Sequence, residues 1–183
     1  GYFFSKGREA SRESKGAAAE WSKLAFLRVL RENMRHPLAR AELGRLLLLA
    51  LFPGLQVKPG DERLRHRSLD IAFNNLDQAR RYNGQCWEAL LWLGVAYALP
   101  WEKGSPSKAR ANLDAALALV PAERAWGVRL CRCQVFLLLG EPQASLAEAE
   151  ALGKLRPQAS PQVELLKREA LQALEEASQT SPR

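Results

Sequence analysis

The chain has 183 residues, 47% of them hydrophobic and 26% charged, which excludes an intrinsically disordered polypeptide and suffices for one compact domain or one short helical stack. Its net charge of +7 lies in the first half: residues 1–84 carry 16 Lys and Arg against 9 Asp and Glu, whereas residues 85–183 carry 11 of each. That asymmetry fits either an anionic neighbour for the first half or a basic face that is merely solvated.

Gly1-Tyr2-Phe3-Phe4, followed by Lys6, Arg8, Arg12 and Lys15, looks like the cytoplasmic edge of a membrane helix. Residues 1–15 read as a flexible basic segment, either beside a removed anchor or as a cloning scar with a floppy tail. From about residue 16 to Arg35, Trp21, Leu24, Leu27, Leu30 and Met34 recur at helical steps, and His36-Pro37 ends that helix. A second helix runs from about Leu38 to Phe52, where Pro53-Gly54 stops it, and Pro59-Gly60 closes an irregular connection. Asp61 is placed to cap a long helix carrying Leu64, Leu69, Ala72, Phe73, Leu76 and Ala79 to Asn83-Gly84. Further helices are predicted at about 85–99, 106–119, 122–139, 142–155 and 161–177. Ser105-Pro106 and Ser160-Pro161 supply N-caps with a first-turn proline, and Gly140-Glu141-Pro142 supplies a tight turn. No segment alternates like a strand, so the fold class is all-α with eight helices. The strongest apolar run, Leu46–Phe52, is far short of the ~20 residues of a membrane span. Cys86, Cys131 and Cys133 are odd in number and lie in apolar helical stretches, as buried reduced thiols do.

Across these helices a motif recurs. Leu93-Gly94-x-x-Tyr97 opens a unit that Ala109-x-x-x-Leu113-x-x-Ala116-x-x-x-x-Pro121 closes. Upstream stands Ala72-x-x-x-Leu76-x-x-Ala79-x-x-x-x-Gly84, downstream Ser145-x-x-x-Ala149-x-x-Leu152-x-x-x-x-Pro157. Leu43-Gly44 and Leu130-Cys131 repeat the opening pair, with Cys131 as the small residue. This pattern resembles the tetratricopeptide (TPR) repeat over about residues 38–157, a helix pair with small residues at the crossing and proline at the exit. A generic helical bundle is the alternative. The resemblance implies one domain over 16–183, a right-handed stack of three pairs (38–84, 85–121 and 122–157), with Gly94 and Ala109 at one crossing. The N-terminal helix and the 161–177 helix would cap it.

No catalytic constellation is present. His36 and His66 have no carboxylate or cysteine at metal-ligand spacing and read as surface residues. Cys131-x-Cys133 on a helix directs its thiols about 200° apart, which suits packing and not a metal. Glu148, Glu150, Glu175 and Glu176 read as solvated helix faces. The chain is therefore expected to be non-enzymatic and to need no cofactor or metal. Arg28, Arg31 and Arg35, with Arg63, Arg65 and Arg67, form a basic patch. No stacking aromatics are interleaved with it, so a nucleic-acid partner is disfavoured; a basic helical protein that binds nucleic acid or anionic surfaces through its N-terminal half is the alternative from another class.

By the resemblance, the inner groove would be lined by Ala41, Arg45 and Leu48, then Leu91, Val95 and Ala98, then Val128, Arg132 and Val135. Such a lining implies a protein partner, an amphipathic helix or apolar peptide, unless the Trp21–Met34 helix fills the groove itself. Replacing Leu91 and Val95 by Asp would then abolish capture and spare helicity. The expected function is a scaffold that recruits or positions a partner protein in a multiprotein assembly. It would be cytoplasmic, held at a membrane by a segment preceding residue 1.

Overall fold

A computed structural model describes residues 17–51, 62–155 and 160–180. Among them lie eight α-helices and one 3-10 turn, and no strand. The helices are α1 (Ala17–Glu32), α2 (Pro37–Leu51), α3 (Glu62–Tyr82), α4 (Trp87–Ala98), α5 (Pro106–Leu119), α6 (Ala125–Leu138), α7 (Pro142–Leu155) and α8 (Ser160–Thr180), with the 3-10 turn at Ala122–Arg124. Each agrees with its sequence expectation within a few residues. The opening segment with Lys6 to Lys15, the Phe52–Asp61 connection and Pro157 lie outside the described residues, as do the side chains of Trp21, Arg63, Leu64 and Arg65. Backbone contacts divide the chain into two compact units, residues 1–96 and 97–183, with the boundary inside α4.

In the first unit, α2 is gripped from two sides. On one, Phe26, Val29 and Leu30 of α1 meet Ala39 and Leu43, with Leu46 and Leu47 packed around them. On another, α3 presents Leu69, Ala72, Leu76 and Ala79, all within 1% of complete burial and spaced at three and four residues. The two helix axes come close because α2 has Gly44 at the crossing. A Cβ there would stand 2.6 Å from Leu76 Cγ and 3.0 Å from the Ala72 carbonyl oxygen. Leu43-Gly44 and Ala72-x-x-x-Leu76 thus meet at this crossing.

The α1–α2 and α3–α4 junctions are wired alike. Asn33 N–H donates to the Val29 carbonyl (2.8 Å) and Asn83 N–H to Ala79 (3.0 Å). His36 N–H donates to the Asn33 carbonyl (3.1 Å), and Cys86 N–H to Asn83 (3.0 Å). Each asparagine also turns its side-chain oxygen onto the amide two residues on, that of Arg35 or Gln85. Short polar side chains compete with the helix in this way, and the helix ends where they stand. His36 is half-buried: its Nδ1 accepts from the Ala39 amide at 3.2 Å, capping α2. That role replaces the surface position read from sequence. His66 is exposed.

In the second unit, α7 packs against both α6 and α8, and α5 reaches α6. Ser105 Oγ accepts from Lys108 N–H at the start of α5, as the Ser-Pro signal predicts. Buried Ser145 donates its hydroxyl to the Cys133 carbonyl at 3.0 Å, pinning the α6–α7 crossing. Cys133, Ala149, Leu152, Val163 and Leu166 form the core beneath. Gly140 closes α6 at φ +71, with its own N–H to the Leu137 carbonyl and the Glu141 N–H to Phe136. This pair of bonds satisfies carbonyls at the helix end and needs a left-handed residue between them.

Candidate partner-binding surface

Seven of the nine residues assigned to the groove are buried: Ala41, Leu48, Leu91, Val95, Val128, Arg132 and Val135. Arg45 and Ala98 keep part of their surface. Ala41 packs in a small-residue cluster with Ala79, Cys86 and Ala89, against which Leu38 lies. At 100° per residue, the Ala41–Arg45–Leu48 stripe lies on the opposite side of α2 from Ala39, Leu43, Leu46 and Leu47. Helix α1 packs on the latter set.

Arg45 anchors a polar cluster in the first unit. Its Nε donates to Glu42 Oε2 at 2.9 Å, and its guanidinium carbon stands 6.0 Å from the centroid of Trp92. Glu42 is buried and Trp92 is half-buried. A guanidinium over an indole, backed by a carboxylate, is held in its orientation, and the Arg45 side chain is 19% exposed.

In the second unit, Arg132 lies among carboxylates. Its Nε donates to Glu148 Oε1 at 3.0 Å, another guanidinium nitrogen reaches Asp114 Oδ1, and the Phe136 ring stands 5.2 Å away. Arg129 closes the network on Glu148 Oε2 at 2.7 Å. Glu148 is half-buried and shared by two arginines, which corrects its reading as a solvated residue; Glu150, Glu175 and Glu176 are exposed as expected. The network spans α5, α6 and α7, and its open edge is Asp114, whose side chain is 66% exposed. Glu42, Trp92, Asp114 and Arg129 were missed from sequence. The Glu42–Arg45 and Arg129–Arg132 spacings are visible there, but the carboxylate that joins two arginines comes from another helix.

Of the basic patch, Arg28, Arg31, Arg35 and Arg67 are exposed. Arg28 and Arg31 share with Leu27 and Glu32 the described lining of a depression of about 650 Å3. Burial pushes the Cys86 thiol up to about 11 and the Cys133 thiol up to about 12, so both stay protonated at neutral pH. Among the described residues no group of three or more His, Cys, Asp or Glu is arranged to hold a metal. None of the described helices is long and apolar enough to cross a membrane.

No family model and no curated protein sequence matches the chain. Its structure is similar to the crystal structure of a thermophilic TPR protein from Thermus thermophilus, with a TM-score of 0.57 and 21% identity, over 93% of this chain and 98% of that one. The fold is TPR-like.

Proposed function

We propose that this TPR-like chain is a non-catalytic scaffold that recruits or positions a partner protein in a multiprotein assembly on the cytoplasmic side of a membrane. The observation that carries the reading is the Glu42–Arg45–Trp92 cluster on first-helix positions. It combines an oriented guanidinium and a half-buried indole, residue types on which protein interfaces concentrate their energy, with a buried carboxylate behind them. The apolar positions around it support the packing of the chain itself. The partner is therefore read as a segment presenting a carboxylate or a backbone carbonyl to Arg45 and an apolar side chain to Trp92. It need not be a wholly apolar helix. The change of Leu91 or Val95 to Asp would place a charge at positions 6% and 0% exposed, and so tests folding before recognition.

The test is a photo-crosslinking residue at position 45, compared with one at exposed position 150, in cells of the native organism. A discrete partner recovered from position 45 alone, and lost when Trp92→Ala is added, is the expected result. Identical products from both positions, or products indifferent to Trp92→Ala, would overturn the reading.

A further inference from the structure

Helix α1 has two unlike faces. One buries Phe26, Val29 and Leu30 against α2. The other leaves Leu24 at 61% and Leu27 at 43% exposure, with Arg28 and Arg31 on the same stripe. Met34, 69% exposed, and Arg35, also exposed, follow in the turn after the helix end. Arg28 Nε stands 4.0 Å from Glu32, and among the described residues no carboxylate lies within ion-pair distance of Arg31 or Arg35. Leu27, Arg28, Arg31 and Glu32 are the described lining of the depression of about 650 Å3.

We infer that this outward face of α1 docks on an anionic phospholipid surface. The exposed guanidinium groups of Arg31 and Arg35 would pair with headgroup phosphates, with Arg28 adding its charge to the same face, and Leu24, Leu27 and Met34 would enter the boundary between headgroups and acyl chains. Three features of the chain select this occupant. Apolar and cationic side chains alternate on one stripe, which matches the layered polarity of a bilayer surface. Arginine binds phosphate through a planar fork and sheds water more readily than an ammonium group. The whole charge excess of +7 falls in residues 1–84, so the field around α1 favours an anionic surface over a neutral one. A nucleic acid would pair with the arginines and leave the leucines uncovered. The inference concerns a face other than the Arg45 cluster and stands or falls apart from partner capture.

The experiment is co-sedimentation of the full chain with phosphatidylcholine vesicles, with and without phosphatidylserine. Binding is expected only where phosphatidylserine is present and should fall steeply with added salt. The triple change Arg28→Gln, Arg31→Gln, Arg35→Gln should lower partitioning on the order of 100-fold, three charges at about 1 kcal/mol each. Leu24→Ser with Leu27→Ser should weaken binding roughly tenfold and keep its salt dependence. All five side chains are exposed, so far-UV dichroism should be unchanged. Lys154→Gln with Arg168→Gln, exposed in the second unit, should bind as the parent does. Equal binding to pure phosphatidylcholine overturns the inference, and so does parental binding by the triple variant, which would assign the attraction to the basic residues before α1. Displacement of the vesicles by an RNA oligonucleotide, or loss of vesicle binding through self-association of the chain, overturns it equally.

Discussion

Gly44 and Gly127 are both helical glycines, yet they answer to different constraints. At Gly44 a methyl group would meet Leu76 and the Ala72 carbonyl at 3.0 Å or less, and the carbonyl belongs to a helix that moves only as a whole. The Gly44→Ala change should cost about 1–3 kcal/mol by overpacking, measured as a lower urea midpoint. At Gly127 nothing lies within 4 Å, so Gly127→Ala should stabilise the protein by roughly 0.5–1 kcal/mol through helix propensity. Equal shifts in the two variants would refute the idea that α2 and α3 meet at Gly44. The role of Gly44 was legible in the spacing of Leu43-Gly44 against Ala72-x-x-x-Leu76. The sharing of Glu148 by Arg129 and Arg132 was not, because periodicity says which residues share a stripe and is silent on which helix lies opposite.

At the scale of the element, the ends of helices were easier to read than their faces. Ser105-Pro106 and Gly140-Glu141-Pro142 act through bonds made within a few residues, so the local sequence contains the whole cause. At Gly140 that cause can be tested directly. With φ at +71, Gly140→Ala should cost about 1–2 kcal/mol, the penalty of a left-handed L-residue. Gly140→Asn should cost less, because asparagine tolerates that region. Urea denaturation of the pair checks the order. The groove assignment fared differently. Val95 and Val135 occupy first-helix positions that the motif opens to a partner, and here they are fully buried. A motif conveys backbone geometry, whereas exposure depends on the size of side chains on neighbouring helices, and those differ from one repeat protein to another.

For the whole molecule, charge and burial are linked through the thiols. The Cys86 and Cys133 pKa values are raised by burial from an ordinary 9.0 to about 11 and about 12. Between those values the unfolded chain has released thiol protons that the folded chain retains. Stability from these groups is therefore fully present below pH 9 and should fall as pH rises toward 11 and 12. Urea midpoints taken on either side of pH 9 should show that decline, and Cys133→Ala should make it shallower. A decline of the same slope in the variant would remove Cys133 as a cause. The fold at this scale was written in the recurrence of small residues at helix crossings. The partner was not, since the fold alone serves many unrelated functions.

The matching asparagine junctions change how the repeats are counted. The α1–α2 turn has the bonds of the α3–α4 turn, so α1 leaves for α2 through the same turn by which α3 leaves for α4. Its sequence agrees: Ser22, Phe26 and Val29 fall at the spacing of Ala72, Leu76 and Ala79, and Ser22 is as completely buried as Ser145. Within the first unit, helix α1 thus carries the spacing of a second helix of a repeat, as α3 does. An engineer joining a designed helix to α1 would set its register from Ser22.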